Sequence, residues 1–230
     1  MTKNHYEGGY APAFMKSREN LRKLMPQTIV EGSLCNFLNG SFTIVSFGQT
    51  IEISYPEGEI INLSMETFHS LDKRLLLLNY LSHAKNIPLS DKWVSYRDLP
   101  NGNVFYPHIK KYVIEALGDF FSNCDKIILR ECLKATGFEL IQAKADLTAK
   151  GFFAPRIPIL LHFWEGEEDI PSTSQILFDS TIAEQMHIED SAALCIIIKN
   201  HVINQYTKLL KETPNKENLA GDKPPARRQP

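Results

Sequence analysis

The spacing of apolar residues changes several times along the chain, and each change marks the start of a different element. From Tyr10 to Met25 (YAPAFMKSRENLRKLM) the apolar positions recur at helical steps, with Pro12 tolerated in the first turn and Pro26 closing the segment. This predicts an N-terminal helix over residues 1–26. Three short β-rich runs follow, SLCNFL, SFTIVSF and TIEISY, and Asn39-Gly40 between the first two is the favoured pair for a tight type I′ turn. They predict a small antiparallel meander of three strands ending at Tyr55-Pro56-Glu57-Gly58. Ser64 is placed to cap a helix from Met65 to Ala84, with Phe68, Leu71, Leu75, Leu78 and Leu81 on one face.

WVSYRDL reads as a strand broken at Leu99-Pro100-Asn101-Gly102. Pro107 to Phe121 and Lys126 to Ala135 then read as a helical hairpin, the second helix stopped by Gly137. FELIQAKAD, IPILLHFW and SQILFD return to extended patterns, and the nearly unbroken apolar run of IPILLHFW suits a central strand covered on both faces. Asp190 to Leu210 forms a last long helix with Leu194, Ile198, Val202 and Tyr206 in phase. Helices and strands do not alternate regularly, and no repeat or glycine-rich phosphate loop is present. The expected class is therefore α+β: a mixed or antiparallel sheet, a long C-terminal helix and a small N-terminal β-meander. Residues 27–210 are expected to form one domain, and the polar, Pro-rich residues 211–230 a disordered tail.

With 43% hydrophobic and 23% charged residues, the composition is that of an ordinary globular protein. A net charge of -2 argues against a nucleic-acid partner. No apolar run is long enough to span a bilayer and no secretory signal opens the chain, so no membrane association and a cytoplasmic location are expected. Cys35, Cys124, Cys132 and Cys195 form no CxxC pair, which predicts reduced thiols and no iron–sulfur cluster of the chain's own.

Charge is unevenly distributed. Between Arg156 and Lys199 there is no Lys or Arg, yet the stretch holds Glu165, Glu167, Glu168, Asp169, Asp179, Glu184, Glu189 and Asp190. Crowded carboxylates bind hard cations, so Glu165, Glu168 and Asp179 are candidate metal ligands; the competing reading is a solvated acidic turn, with Asp179 capping the helix that follows. Glu189 and Asp190 suit the start of the last helix through its dipole. His162, on a strand, and His108, beside Tyr106 and Tyr112 in NVFYPHIKKY, are the histidines best placed for a ligand role, and a satisfied core imidazole is the alternative for His162. No GxSxG, HExxH, kinase or dinucleotide-binding motif is present.

WVSYRDLPNG, PRIPILLHFWEGEEDIPSTSQILFD and IEDSAAL, in that order, make the chain resemble the domain-of-unknown-function 3786 family over about Ile60 to Leu210. The resemblance carries over Trp93, Arg97, Pro100, Arg156, Pro158, Trp164, Glu165, Glu168, Phe178, Asp179 and Asp190. It implies an anaerobic setting, since the family is found mainly in anaerobic bacteria and archaea, and some members carry an added iron–sulfur domain similar to that in corrinoid-dependent methyl-transfer systems. This chain lacks that cysteine-bearing extension, and it has His162 where an apolar residue is usual. The resulting expectation is a binding protein for a corrinoid (cobalamin) or other tetrapyrrole, contacted by Trp164, His162, His108, Tyr106, Tyr112, Trp93 and Arg97. Two alternatives stand beside it: a divalent-metal enzyme built on Glu165, Glu168 and Asp179, and an accessory subunit that docks on an iron–sulfur protein.

Overall fold

A computed structural model describes residues 7–62 and 70–212. Ser64, Phe68 and residues 213–230 of the expected tail lie outside those residues, whereas Lys211 and Glu212 are helical. Helix α1 (Ala11–Arg22) follows a single 3-10 turn and buries Phe14 and Leu21. Arg18 lies on the same buried side and donates to both carboxylate oxygens of Glu7, at 3.1 and 2.7 Å. Pro26 closes nothing; it opens a second helix, α2 (Pro26–Ser33), as its fixed φ permits at a first helical position.

The meander has four strands rather than three: β1 (Asn36–Leu38), β2 (Ser41–Ser46), β3 (Gln49–Ser54) and β4 (Ile60–Asn62), paired antiparallel in that order. Asn39 and Gly40 both take positive φ, as the type I′ turn requires. A second tight turn has the same signs at Phe47 and Gly48. A phenylalanine there carries no turn signal, and tertiary contacts hold it in place. Its N–H donates to the Phe152 carbonyl at 2.8 Å, and its ring packs on Phe138, Phe153 and His201. Gly137 lies so close that a Cβ would overlap the Phe47 carbonyl group. The meander is docked onto the rest of the fold through this turn.

The second sheet runs β5-β9-β8-β7-β6, all antiparallel, from β5 (Trp93–Ser95), β6 (Glu139–Ile141), β7 (Leu147–Ala154), β8 (Ile157–Trp164) and β9 (Thr173–Asp179). The apolar run IPILLHFW is its central strand, β8. The sequence pattern did not mark β7, because Gly151 interrupts it; that glycine makes room for the Phe138 ring. One face buries Ala149, Phe153, Ile159, Leu161, Phe163, Ile176 and Phe178. The other leaves Trp93, Lys150, His162, Trp164, Gln175 and Leu177 half-buried.

Helix α3 (Leu71–His83) starts at Ser70, whose hydroxyl accepts from the Lys73 N–H. WVSYRDL is strand only as far as Ser95 and then coils into a 3-10 turn, Tyr96–Asp98. The expected Pro107–Phe121 helix is α4 (Tyr106–Ile109), a π-helical segment (Lys110–Glu115) and α5 (Ala116–Asn123) in succession. Then follow α6 (Lys126–Ala135), the short α7 (Ile182–Gln185) and α8 (Ile188–Glu212), which extends past the expected helix at both ends. Phe121 of α5 meets Phe163 of β8 edge-on, with centroids 5.0 Å apart on the buried face.

Arg156, in the β7–β8 turn, is only 5% exposed. Its guanidinium donates to the carbonyls of Gly32 (2.6 Å), Glu31 (3.1 Å) and Ile87 (2.7 Å) and to Asn86 Oδ1 (2.6 Å). Its own N–H donates to the Tyr80 hydroxyl, which donates in turn to the Ser33 carbonyl. Two of the acceptors are last-turn carbonyls of α2, the negative end of that helix's dipole. Replacing Arg156 with Met leaves these acceptors buried and unpaired, and is expected to cost about 3–5 kcal/mol in urea unfolding. Lys, which lacks the planar fork of donors, is expected to recover only part of that loss.

Candidate functional site

A short strand creates the main cleft. β5 ends with Ser95 opposite Leu177, whereas β9 continues to Thr173, where it still pairs with Trp164 of β8. Residues 173–176 of β9 therefore have no strand beside them on the β5 side. The chain turns away at Tyr96, whose hydroxyl donates to the Ile188 carbonyl at 3.0 Å. Gly102 is pressed against the Tyr96 carbonyl, where any Cβ would overlap it. The space left open is a cleft of about 600 Å³.

Its walls are the Ser95–Arg97 turn, β9 from Thr173 to Ile176, Trp164, and one side of α4–α5 carrying Tyr106, Lys110, Glu115 and Asp119. Ile109, Ile114, Ile176 and Cys195 supply apolar lining. The π turn adds a residue to this wall, so Lys110 and Glu115, five apart, both line it with their charges 3.9 Å from each other. Arg97 lies over the Tyr106 ring at 5.7 Å and 3.6 Å from Asp98. The Asp98 carboxyl is lowered from its ordinary pKa, first by the hydrogen bond it accepts from the Ser95 hydroxyl. The lining thus sets two cations, Arg97 and Lys110, against two carboxylates, Glu115 and Asp119, across an amphipathic hollow with three aromatic side chains, Tyr96, Tyr106 and Trp164.

Of the residues expected to contact a cofactor, Arg97, Tyr106 and Trp164 converge on this cleft. His162 does not line it. It sits on the sheet face beside Trp164, with centroids 5.5 Å apart, and its Nδ1 is 2.8 Å from the Thr148 hydroxyl. Burial lowers its pKa, favouring the neutral imidazole. His108 and Tyr112 also stay outside the cleft, their rings packed on each other at 4.6 Å. Trp93 is paired with Asp179 at the far end of β9 and lies near Lys150. That end is six residues, roughly 20 Å, from Thr173.

The same separation breaks up the expected metal trio. Glu165 is 3.0 Å from the Lys126 ammonium, and Glu168 lies exposed in the turn closed between Glu167 and Ile170. Asp179, 2% exposed, is at the other end of β9. It accepts from the Ser90 N–H and hydroxyl, the Asp91 N–H, and the Thr181 N–H and hydroxyl. Its oxygens hold the loop before β5 and the entry to α7, close to the capping role read from the sequence. The three carboxylates therefore do not surround one ion. Among the described residues, no group of three His, Cys, Asp or Glu side chains is placed to hold a metal.

Sequence reasoning missed Tyr96, Lys110, Glu115, Asp119 and Cys195. The Leu99-Pro100-Asn101-Gly102 break signalled that the chain turns, but nothing local signalled the π turn. Among the described residues, no helix is long and apolar enough to cross a membrane. The family model described as domain of unknown function (DUF3786) matches residues 25–201. No curated protein and no solved structure matches the chain.

Burial alone would raise the Asp179 carboxyl, but the hydrogen bonds from Thr181 and Ser90 outweigh it and hold the group below its ordinary pKa. A carboxylate lowered on folding stabilises fully above its unfolded pKa of about 3.9, and that contribution fades as pH falls through the folded value. Asp179→Asn is therefore expected to destabilise the protein by about 1–3 kcal/mol at pH 7. The gap from the unsubstituted chain should narrow below about pH 4, as read by urea unfolding at both pH values.

Proposed function

This chain belongs to the DUF3786 family, and we propose that it is a binding protein whose cleft takes a flat tetrapyrrole-type cofactor, a corrinoid above all, in anaerobic one-carbon or cofactor metabolism. The observation that carries this reading is the convergence of Arg97 and Tyr106 with Trp164, which is distant from both in sequence, on one cleft of about 600 Å³. That volume is ordinary for a small-molecule site, and its mixture of rings, apolar floor and a few polar groups is what such sites share.

The lining fits the edge and periphery of a macrocycle. Tyr106 and Trp164 offer ring contacts, while Arg97, Lys110 and Gln175 suit carboxylates or amides on ring substituents. Among the described residues no histidine lines the cleft, and Arg97, Tyr106, Lys110, Trp164 and Gln175 are the ones that would hold the ring. The metal at the ring centre, when bound, supplies the group-transfer chemistry, and the chain's share is to hold and orient it. A second reading, an accessory subunit docking on an iron–sulfur protein, draws on the half-buried sheet face around Trp93 and Leu177, with Phe152 39% exposed.

Trp93→Phe leaves Trp164 as the sole tryptophan. Titrating that variant with cobalamin, and separately with heme, is expected to quench its fluorescence, shift the cofactor's visible spectrum and raise the melting temperature. Arg97→Ala and Tyr106→Ala should each weaken binding at least tenfold. An unchanged spectrum together with an unchanged melting temperature rejects the proposal. Copurification with an iron–sulfur protein and no bound cofactor would favour the second reading.

A further inference from the structure

Away from the cleft, the last residue of α3, His83, meets His187, the residue just before α8, with ring centroids 4.2 Å apart. Both line a separate hollow of about 420 Å³ together with Ser17, Asn20, Asn79 and Ser82. Among the described residues neither imidazole has a hydrogen-bond partner, although the His187 carbonyl accepts from Ser191. Two polar rings are thus brought together across the fold with their nitrogens unused.

We infer that His83 and His187 form a two-histidine site for a borderline divalent transition ion of the zinc or nickel class. Two imidazoles bound cis to one ion, each nitrogen about 2.0–2.1 Å from it, place their ring centres roughly 4.5–5.2 Å apart. The observed spacing is within about an ångström of that range, so small side-chain rotations complete the geometry. Imidazole suits this class of ion, whereas a hard cation such as calcium requires oxygen ligands. Charge around the pair is mixed. His83 feels the Lys85 ammonium as well as the Glu184 carboxylate, which lie 2.7 Å from each other, Asp190 feels His187, and Lys16 lies 3.5 Å from Glu19. Asp190 is itself held by the Asn79 amide at 3.1 and 3.2 Å. No third protein ligand stands in place among the described residues, so water fills the remaining positions. The ion would join the end of α3 to the start of α8.

The test uses the full chain, freed of metal with a chelator and titrated with zinc chloride by calorimetry. One equivalent is expected to bind with a dissociation constant in the micromolar range. His83→Gln and His187→Gln should each weaken binding at least tenfold, and His108→Gln should leave it unchanged. Equal binding by His83→Gln and the unsubstituted chain, or no zinc binding at millimolar concentration, overturns the inference. A readout on the unsubstituted chain does not depend on whether the variants fold. Substoichiometric nickel should broaden the ring proton resonances of His83 and His187 first, and broadening that begins at His108 or His162 refutes the site.

Discussion

A buried guanidinium that, among the described residues, no carboxylate pairs with is the constraint around which this fold is organised. Taking a full charge out of water costs several kcal/mol, and Arg156 recovers that cost only if carbonyls from separate segments meet at its fork. Those acceptors belong to the end of α2 and to residues 86–87 beyond α3, so the β7–β8 turn, α2 and α3 are fixed relative to one another. Tyr80 extends the link through its hydroxyl to the backbone of Ser33. Gly32, against whose missing Cβ the Ala84 carbonyl packs, allows the approach.

A similar mechanism at the same end of the sheet sets the position of the cleft. Asp179 gathers the N–H groups of Ser90 and Asp91 immediately before β5, which sets the register of β5 on β9 from that end. Because β5 is three residues long and β9 seven, the mismatch appears at the opposite end, beyond Ser95. The Tyr96 hydroxyl bond to α8 and the close packing at Gly102 divert the chain there. The π turn in the facing helix then brings Lys110 and Glu115 onto the wall of the resulting space. A structural carboxylate at one end of a strand thus determines where a binding cleft opens at the other.

The acid-rich stretch shows why charge read along a sequence misleads about chemistry. From Arg156 to Lys199 no basic residue neutralises the carboxylates locally, yet Lys126 reaches Glu165 and Lys85 reaches Glu184 from other parts of the chain. Asp179, the one carboxylate of the expected trio that is buried, spends its acceptor capacity on neighbouring backbone and hydroxyl groups. The other acids of the 165–170 segment stay exposed, as those of a solvated turn do.

Local patterns were sufficient for the α+β class, for the Asn39-Gly40 turn, for IPILLHFW as the central strand and for the long last helix, because period and turn chemistry act over a few residues. They did not show the fourth meander strand, β7 with Gly151 in its middle, or the turn at Phe47, where packing against Phe138, Phe153 and His201 holds a conformation that the residue itself disfavours. Of the candidate site, Arg97, Tyr106 and Trp164 were recognisable as residue types worth watching. That they share a cleft while His162, His108, Tyr112 and Trp93 do not was decided by strand register, helix phase and the places where buried polar groups find partners. Those are long-range quantities, and the order of residues along the chain does not encode them locally.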